Sequence, residues 1–245
     1  MELNKIYNMD CLDGMKLLKD KSIDMILCDL PFGTTRCKWD TIIPLDKLWE
    51  QYCRIIKDNG AIVLFAQTPF DKVLGASNLK MLRYEWIWEK TQATGHLNAK
   101  KMPMKAHENI LVFYKKLPKY NPQKTNGHKP INSYTKYIAT QNNTELYGEM
   151  KKEITGGGET DRYPRSVQIF SSDKQKIHFH PTQKPIKLLE FLIKTYTDED
   201  DIILDNCIGS GSTAVAALNT NRKFIGFELD KNYYEVAINR LKNIS

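Results

Sequence analysis

"ILDNCIGSGSTAVAALNTNRKFIGFELD", residues 203–230, reads in succession as strand, glycine loop, helix and strand. The apolar run 202–205 ends on Asp205, and the loop after it carries Gly209 and Gly211. A helix is expected over 212–220 and a second strand over 223–227, with Glu228 just beyond. Glycines let the backbone approach a ligand closely, and the N–H groups that open a helix can hold an anion. An acid after the next strand, seventeen positions past Gly211, can accept hydrogen bonds from both hydroxyls of a ribose. The stretch therefore predicts an adenosine-containing cofactor on a parallel α/β sheet.

The same residues leave two cofactors to weigh. Gly209-Ser210-Gly211-Ser212-Thr213-Ala214 satisfies the permissive form of the dinucleotide fingerprint, a weak signal on its own. Asp205 favours S-adenosylmethionine over NAD, because a carboxylate there repels a pyrophosphate and can hold the ammonium of a methionine moiety. A plain strand-to-helix turn is the structural alternative.

Outward from this stretch, two blocks of strand and helix signals flank a poorly patterned middle. Strands are expected at 5–9, 23–28, 61–66, 83–89 and 109–115, and helices at 11–19 and 69–79. Leu45, Leu48, Trp49, Tyr52, Ile55 and Ile56 form a helical stripe that starts after Pro44 and stops at Asn59-Gly60. In the second block a helix over 186–196 precedes the opening stretch, and a closing helix over 231–242 follows it. Seven strands alternating mostly with helices predict an α/β, doubly wound, mostly parallel sheet covered on both faces. Residues 1–115 and 179–245 make up its domain, and 116–178, broken by Pro118, Pro122, Pro130, Gly156-Gly157-Gly158 and Pro164, make up an insert.

Composition narrows the setting. No apolar run reaches the roughly 20 residues that span a bilayer, and residues 1–5 lack a signal-peptide core. Five cysteines (11, 28, 37, 53 and 207) form no CxxC pair, which points to a reducing cytoplasm rather than a disulfide or zinc framework. The net charge is +7, and nine lysines lie between Lys90 and Lys129 against Glu108 alone. Such a concentration suits a polyanion, although a solvated lysine-rich surface explains it equally well.

"CDLPFGTT", residues 28–35, follows the apolar run 23–27 and sets a charge, a rigid turn and an aromatic ring at one strand end. Alone it reads as a strand-ending turn with a core phenylalanine. Beside the glycine loop it gains meaning, because the ends of two neighbouring parallel strands can face one crevice at a topological switch point.

With these motifs in this order, the chain resembles the amino-group DNA methyltransferases of the β arrangement, which modify exocyclic amines of adenine or cytosine. Asp29-Leu30-Pro31-Phe32 resembles the family's Asp/Asn/Ser-Pro-Pro-Tyr/Phe motif, and 205–213 its cofactor motif. His180-Pro181-Thr182-Gln183-Lys184-Pro185 is similar to its H-P-x-Q-K-P element. Gly226–Asp230 with Tyr233, Asn8–Leu12 and His107–Phe113 resemble three further elements. The departures are Leu30 for proline, Phe32 for the commoner tyrosine, and Asn206-Cys207 for Pro-Phe.

The resemblance implies a seven-stranded sheet with an antiparallel edge hairpin at 83–89/109–115, S-adenosylmethionine as cofactor and double-stranded DNA as substrate. It implies catalysis by Asp29, Leu30, Pro31 and Phe32, with Phe32 stacking on a target base swung out of the duplex. Attack is direct, so neither a metal nor a cysteine nucleophile is needed, and Cys28 and Cys207 read as packing residues. Asp10, Cys11, Asp29, Thr182, Gln183, Lys184, Asp205, Cys207, Gly209, Ser210, Gly211, Ser212, Thr213 and Glu228 are expected around the cofactor. Asp10 pairs there with the adenine amine, and Thr182, Gln183 and Lys184 lie near the methionine carboxylate. Helix capping is the alternative for Asp10 and Thr182. Arg36, Lys38 and Trp39, in a loop that closes over DNA, and Asn98, Lys100, Lys101 and Lys105 are expected along the DNA path, with 116–178 reading the target sequence. Aspartate at the motif's first position leans towards N6-adenine, with N4-cytosine as the alternative and a catalytically inert DNA-binding subunit behind both. A homodimer and a cognate restriction endonuclease are the further partners that such a role suggests.

Overall fold

The computed structural model describes residues 1–33, 41–132, 134–137, 153–172 and 183–243. They divide into two compact units, Met1–Asn121 with Arg165–Ser245, and Pro122–Pro164. In the larger unit the chain runs β1 (Lys5–Asn8), α1 (Cys11–Lys16), β2 (Ile23–Asp29), α2 (Leu45–Ile55), β3 (Ile56–Ala66) and α3 (Phe70–Ser77). It continues through β4 (Leu82–Thr94) and β5 (Lys105–Phe113). The smaller unit carries β6 (Tyr134–Tyr137) and β7 (Glu153–Gly156), which pair as an antiparallel ribbon. Back in the larger unit come β8 (Val167–Phe170), α4 (Ile186–Tyr196), β9 (Ile202–Asp205), α5 (Ser212–Asn219), β10 (Lys223–Glu228) and α6 (Lys231–Lys242).

The main sheet has the order β1-β10-β9-β2-β3-β5-β4-β8. Every neighbouring pair is parallel except those that β5 makes with β3 and β4. Seven of these strands are the expected ones, and the 83–89/109–115 hairpin is antiparallel as anticipated. The eighth, β8, adds parallel to β4. It comes from the poorly patterned region, where four residues between a bend and a loop give too short a period to stand out. The α2 stripe also ends earlier than Asn59-Gly60, which lies inside β3 where its register with β2 shifts between Ile23 and Met25.

The period of two along each strand splits the core cleanly. Ile26 and Cys28 of β2, Ile62 and Leu64 of β3, and Ile225 and Phe227 of β10 face one side, under α1, α2 and α3. Met25, Leu27, Val63, Phe65, Ile203 and Phe224 face the other, under α4, α5 and α6. Both faces are covered, which is why β2 reads as a near-continuous apolar run. The acid inside that run, Asp24, accepts from Lys57 Nζ at 2.7 Å and from the Ile202 amide at 3.0 Å. It clips the starts of β3 and β9 to β2, so its burial is compensated.

From β2 the chain passes through α2 to β3 on one side, and from β9 through α5 to β10 on the other. The switch point therefore falls between β9 and β2, which pair through Met25↔Ile203 and Ile26↔Leu204. Their carboxyl ends deliver Asp205 and Asp29 to one crevice.

Candidate active site

A cavity of about 710 Å³ opens at this switch point. Of the residues expected around a cofactor, Asp10, Cys11, Asp29, Gln183, Lys184, Asp205, Cys207, Gly209, Ser210, Ser212, Thr213 and Glu228 line it, as does Pro31 of the catalytic motif. Thr182, Arg36, Lys38 and Trp39 lie outside the described residues. Leu30 and Phe32 are not in the lining. Leu30 is buried in the core beneath α1 and α2, where proline's ring would supply less apolar surface. Phe32 is half-buried, with its ring 5.5 Å from that of Phe70.

Backbone geometry explains the glycine loop. Gly209 and Gly211 take φ of 53° and 81°, the left-handed region that other residues pay to enter. Gly211 is the N-cap of α5, and a Cβ on it would stand 3.2 Å from that of Ala237. The Gly209 amide donates to Glu228 Oε2 and the Asp230 amide to Oε1, both at 2.8 Å. The Glu228 carboxylate is thus fixed at the cavity wall with lone pairs to spare, and burial raises its pKa. Asp205 accepts from the Cys207 amide at 3.1 Å, and burial pushes it up to about 6 against the hydrogen bonds that stabilise its charge. Asp10 caps α1, its Oδ1 accepting from the Leu12 and Asp13 amides, and faces the cavity as well.

The floor beside Asp205 is polar in a way that the sequence did not advertise. Tyr52 donates to Asn206 Oδ1 at 2.5 Å, and Asn206 Nδ2 approaches Cys207 Sγ at 3.5 Å. Cys28 is fully buried there, and burial raises its thiol to about 12. It packs, as expected, whereas Cys207 both packs and lines the cavity.

Asp29, itself partly exposed, ends a buried chain of alternating charge. Lys184 Nζ stands 2.6 Å from Asp29 Oδ2 and 3.1 Å from Glu108 Oε2, and Lys90 Nζ stands 2.6 Å from Glu108 Oε1. Gln67 Nε2 donates to Glu108 Oε1 at 3.1 Å, and Lys105 Nζ donates to Gln67 Oε1 at 3.2 Å. Burial raises the Asp29 pKa; Lys184 pulls it back and Glu108 adds to the rise. Burial also opposes ionisation of Glu108, yet Lys184 and Lys90 hold it below the ordinary range. The Lys184 ammonium also faces the Phe65 ring at 5.1 Å. Lys184 is expected near a cofactor carboxylate, and here its charge is committed to two protein carboxylates. Glu108 and Lys90 are site residues that sequence reasoning passed over. A signal was present: Glu108 opens the apolar strand 109–113, where a lone acid must find a cation.

Among the described residues, Asp29 Oδ1 and Gln183 Oε1 are buried without a hydrogen-bond partner. Both residues line the cavity, so an acceptor waits there for a donor. The anionic wall (Asp205, Glu228), the glycine loop and these open acceptors fit a cationic, ribose-bearing ligand better than a pyrophosphate.

Asn98, Lys100 and Lys101 lie on the exposed β4–β5 connection and Lys105 at the start of β5, all outside the cavity lining. The lysine concentration is less available than its count suggests. Lys90 is buried on Glu108, Lys116 pairs with Asp58, Lys119 with Asp198 and Asp201, and Lys124 with Asp161. No helix among the described residues is long and apolar enough to cross a membrane.

Comparison with known proteins agrees with this geometry. Type II methyltransferase M.BglII of Bacillus subtilis is 29% identical over 96% of this chain and 68% of its own. DNA adenine methyltransferase YhdJ of Escherichia coli K12 is 26% identical over 98% of this chain and 83% of its own. The M1.HpyAVI–SAM complex superposes with a TM-score of 0.65 at 23% identity, covering 96% of this chain and 98% of that one. A family model described as DNA methylase, N6_N4_Mtase, matches residues 23–239, and with most of its length inside that match this chain belongs to the N6/N4 DNA methylase family.

Proposed function

We propose that this DNA methylase transfers the methyl group of S-adenosylmethionine to the N6 amine of an adenine swung out of duplex DNA. The observation that carries the reading is Asp29, whose Oδ1 has no hydrogen-bond partner and which lines the same cavity as Asp205, Glu228 and the glycine loop.

When bound, S-adenosylmethionine supplies a methyl group made electrophilic by its sulfonium. Asp205 holds the methionine ammonium, Glu228 the ribose hydroxyls, and Gln183 Oε1 a remaining donor. The exocyclic amine is a poor nucleophile because its lone pair is delocalised into the ring. Asp29 Oδ1 accepts one N–H, a backbone carbonyl of Leu30 or Pro31 accepts the other, and the lone pair localises towards the methyl. Positive charge then develops on the amine beside a carboxylate, a stabilisation present mainly in the transition state. As the sulfonium carbon–sulfur bond gives way to the new N–CH3 bond, the surplus N–H proton leaves through Asp29. Phe32, braced on Phe70, offers a face to the displaced base. Within the insert expected at 116–178, the smaller unit Pro122–Pro164 reads the target sequence. YhdJ, by its name an adenine enzyme, supports the choice of base together with Asp29 at the motif's first position.

The test is transfer of a labelled methyl group to duplex DNA by the wild type and by Asp29→Ala, with cofactor binding followed in parallel. Transfer lost with binding retained is the expected result. A fully active Asp29→Ala would overturn the mechanism. Sequencing of DNA from expressing cells then reads the base, and N4-methylcytosine there would replace adenine as the substrate.

A further inference from the structure

The β4–β5 hairpin outgrows the sheet. From Thr91 to Ala106 every residue is exposed, and β4 continues to Thr94 past its regular register with β5. At roughly 3.3 Å per residue, the Lys90–Thr94 extension carries the tip about 15 Å outward. The tip is a 3-10 turn, His96–Asn98, entered through left-handed Gly95. Leu97 at its crown is 98% exposed, and Met102 and Met104 are exposed beside it. Leu97 is as exposed here as in an unfolded chain, so the fold gains nothing from it and its apolar surface is free for a partner.

Two features of the arm say which. The segment 91–105 holds Lys100, Lys101 and Lys105 and no acid, and none of the three has an acid partner among the described ion pairs. The arm also springs from the active-site edge of the sheet, because β4 runs parallel to β2 and β3 across the antiparallel β5. At its root, Lys105 reaches Gln67, Gln67 reaches Glu108, and the chain continues through Lys184 to Asp29.

We infer that this arm enters a groove of the substrate duplex and inserts Leu97 into the base stack, filling the gap left by the displaced base. The inference rests on the reading of the chain as a DNA amine methyltransferase. A two-stranded β-ribbon fits the major groove, about 8.5 Å deep, and apolar side chains wedge between base steps where a duplex is opened. The lysines hold phosphates on either side, and Leu97 offsets part of the unstacking cost of a paired target.

The experiment compares wild type and Leu97→Ala in single-turnover methyl transfer on two duplexes. One carries the methylated site found by sequencing, and in the other the target base faces an abasic position. Leu97 touches nothing that folding needs, so the variant is expected to fold. On the paired duplex it is expected to be slower by about tenfold, and on the unpaired one to match the wild type within about twofold. Equal rates on the paired duplex would overturn the inference. So would an equal loss on both duplexes, or a change in oligomeric mass showing that a second copy covers Leu97. Absence of transfer by the wild type would instead remove the reading on which the inference stands, and the inference with it.

Discussion

Lys184 Nζ stands 2.6 Å from Asp29 Oδ2, so one oxygen of the carboxylate is spent on an internal cation while Oδ1 is buried without a hydrogen-bond partner, on a residue that lines the cavity. Division of labour between the two oxygens follows. Oδ2 fixes the orientation of Asp29, and Oδ1 keeps its lone pairs unspent. Glu108 shares the same ammonium at 3.1 Å and is itself held by Lys90. Four charges of alternating sign thus cancel in a buried line, the arrangement in which desolvated ions are tolerated.

The pH dependence of activity tests this pairing. Burial already holds the Asp29 carboxyl above its ordinary range, with Lys184 pulling the other way. Lys184→Met removes that pull, so Asp29 binds a proton at still higher pH. Catalysis needs the ionised carboxylate, and the acid limb of the kcat profile is expected to move upward in Lys184→Met. Activity lost near neutrality returns partly in more alkaline buffer. An unmoved acid limb would show that Lys184 does not govern the Asp29 charge.

Stability tests the line as a unit. Lys184→Met strands Asp29 and Glu108 with reduced compensation and is expected to cost about 3–5 kcal/mol. The Lys184→Met/Glu108→Gln pair removes one charge of each sign and is expected to lose less than the sum of the single variants. Urea unfolding of the four proteins measures the coupling. Additive losses would mean that the two residues do not share one network.

Cofactor binding carries its own pH signature. Asp205 is pushed up to about 6 by burial, and its ionised form is the one that attracts an ammonium. A bound ammonium lowers that pKa, so binding of S-adenosylmethionine is expected to weaken as pH falls through about 6 and to level off above it. Isothermal titration between pH 5 and pH 8 reads the effect, and Asp205→Asn is expected to bind weakly with a flatter profile. A profile unchanged by Asp205→Asn would take Asp205 out of the cofactor site.

The larger outline was legible because buried parallel strands write themselves as apolar runs ending on functional acids, as Asp29 and Asp205 do. Helical stripes located every α-helix among the described residues of the larger unit. The missing strand, β8, is four residues long and borrows its stability from β4, a partner that local pattern cannot reveal. The charge line was hidden for the same reason: Lys90, Glu108 and Lys184 are far apart in sequence and meet only when β4, β5 and the segment before α4 converge. Lysine counting left open how many of these charges are free, and Lys90, Lys116, Lys119 and Lys124 each have an acid partner within the fold.

That correction makes a prediction about DNA binding. Lys100 and Lys101 are exposed and have no acid partner among the described ion pairs, whereas Lys119 is shared between Asp198 and Asp201, each at 2.8 Å. Each phosphate contact contributes about 0.9 to the salt slope of binding to duplex DNA. Lys100→Ala/Lys101→Ala is expected to weaken binding across all sequences and to lower the slope by roughly two. Lys119→Ala is expected to leave the slope unchanged. Fluorescence anisotropy at several salt concentrations reads both, and equal slopes for wild type and the double variant would remove this arm from the DNA path.

Gly14 separates packing from propensity. It lies in α1, where alanine is the better helix former by about 1 kcal/mol. A Cβ there would collide with the Phe227 ring, which is fully buried and also borders the cofactor cavity. Overpacking of a filled core costs about 1–3 kcal/mol, so the clash outweighs the propensity gain. Gly14→Ala is expected to lower the melting temperature by about 2–4 °C for each kcal/mol of net loss. The ring's easiest escape is towards the cavity, so S-adenosylmethionine is expected to bind more weakly and to restore less thermal stability than it does to the wild type. A variant that melts higher and keeps full affinity would show that Phe227 yields elsewhere, and that α1 does not press on the cofactor site through this ring.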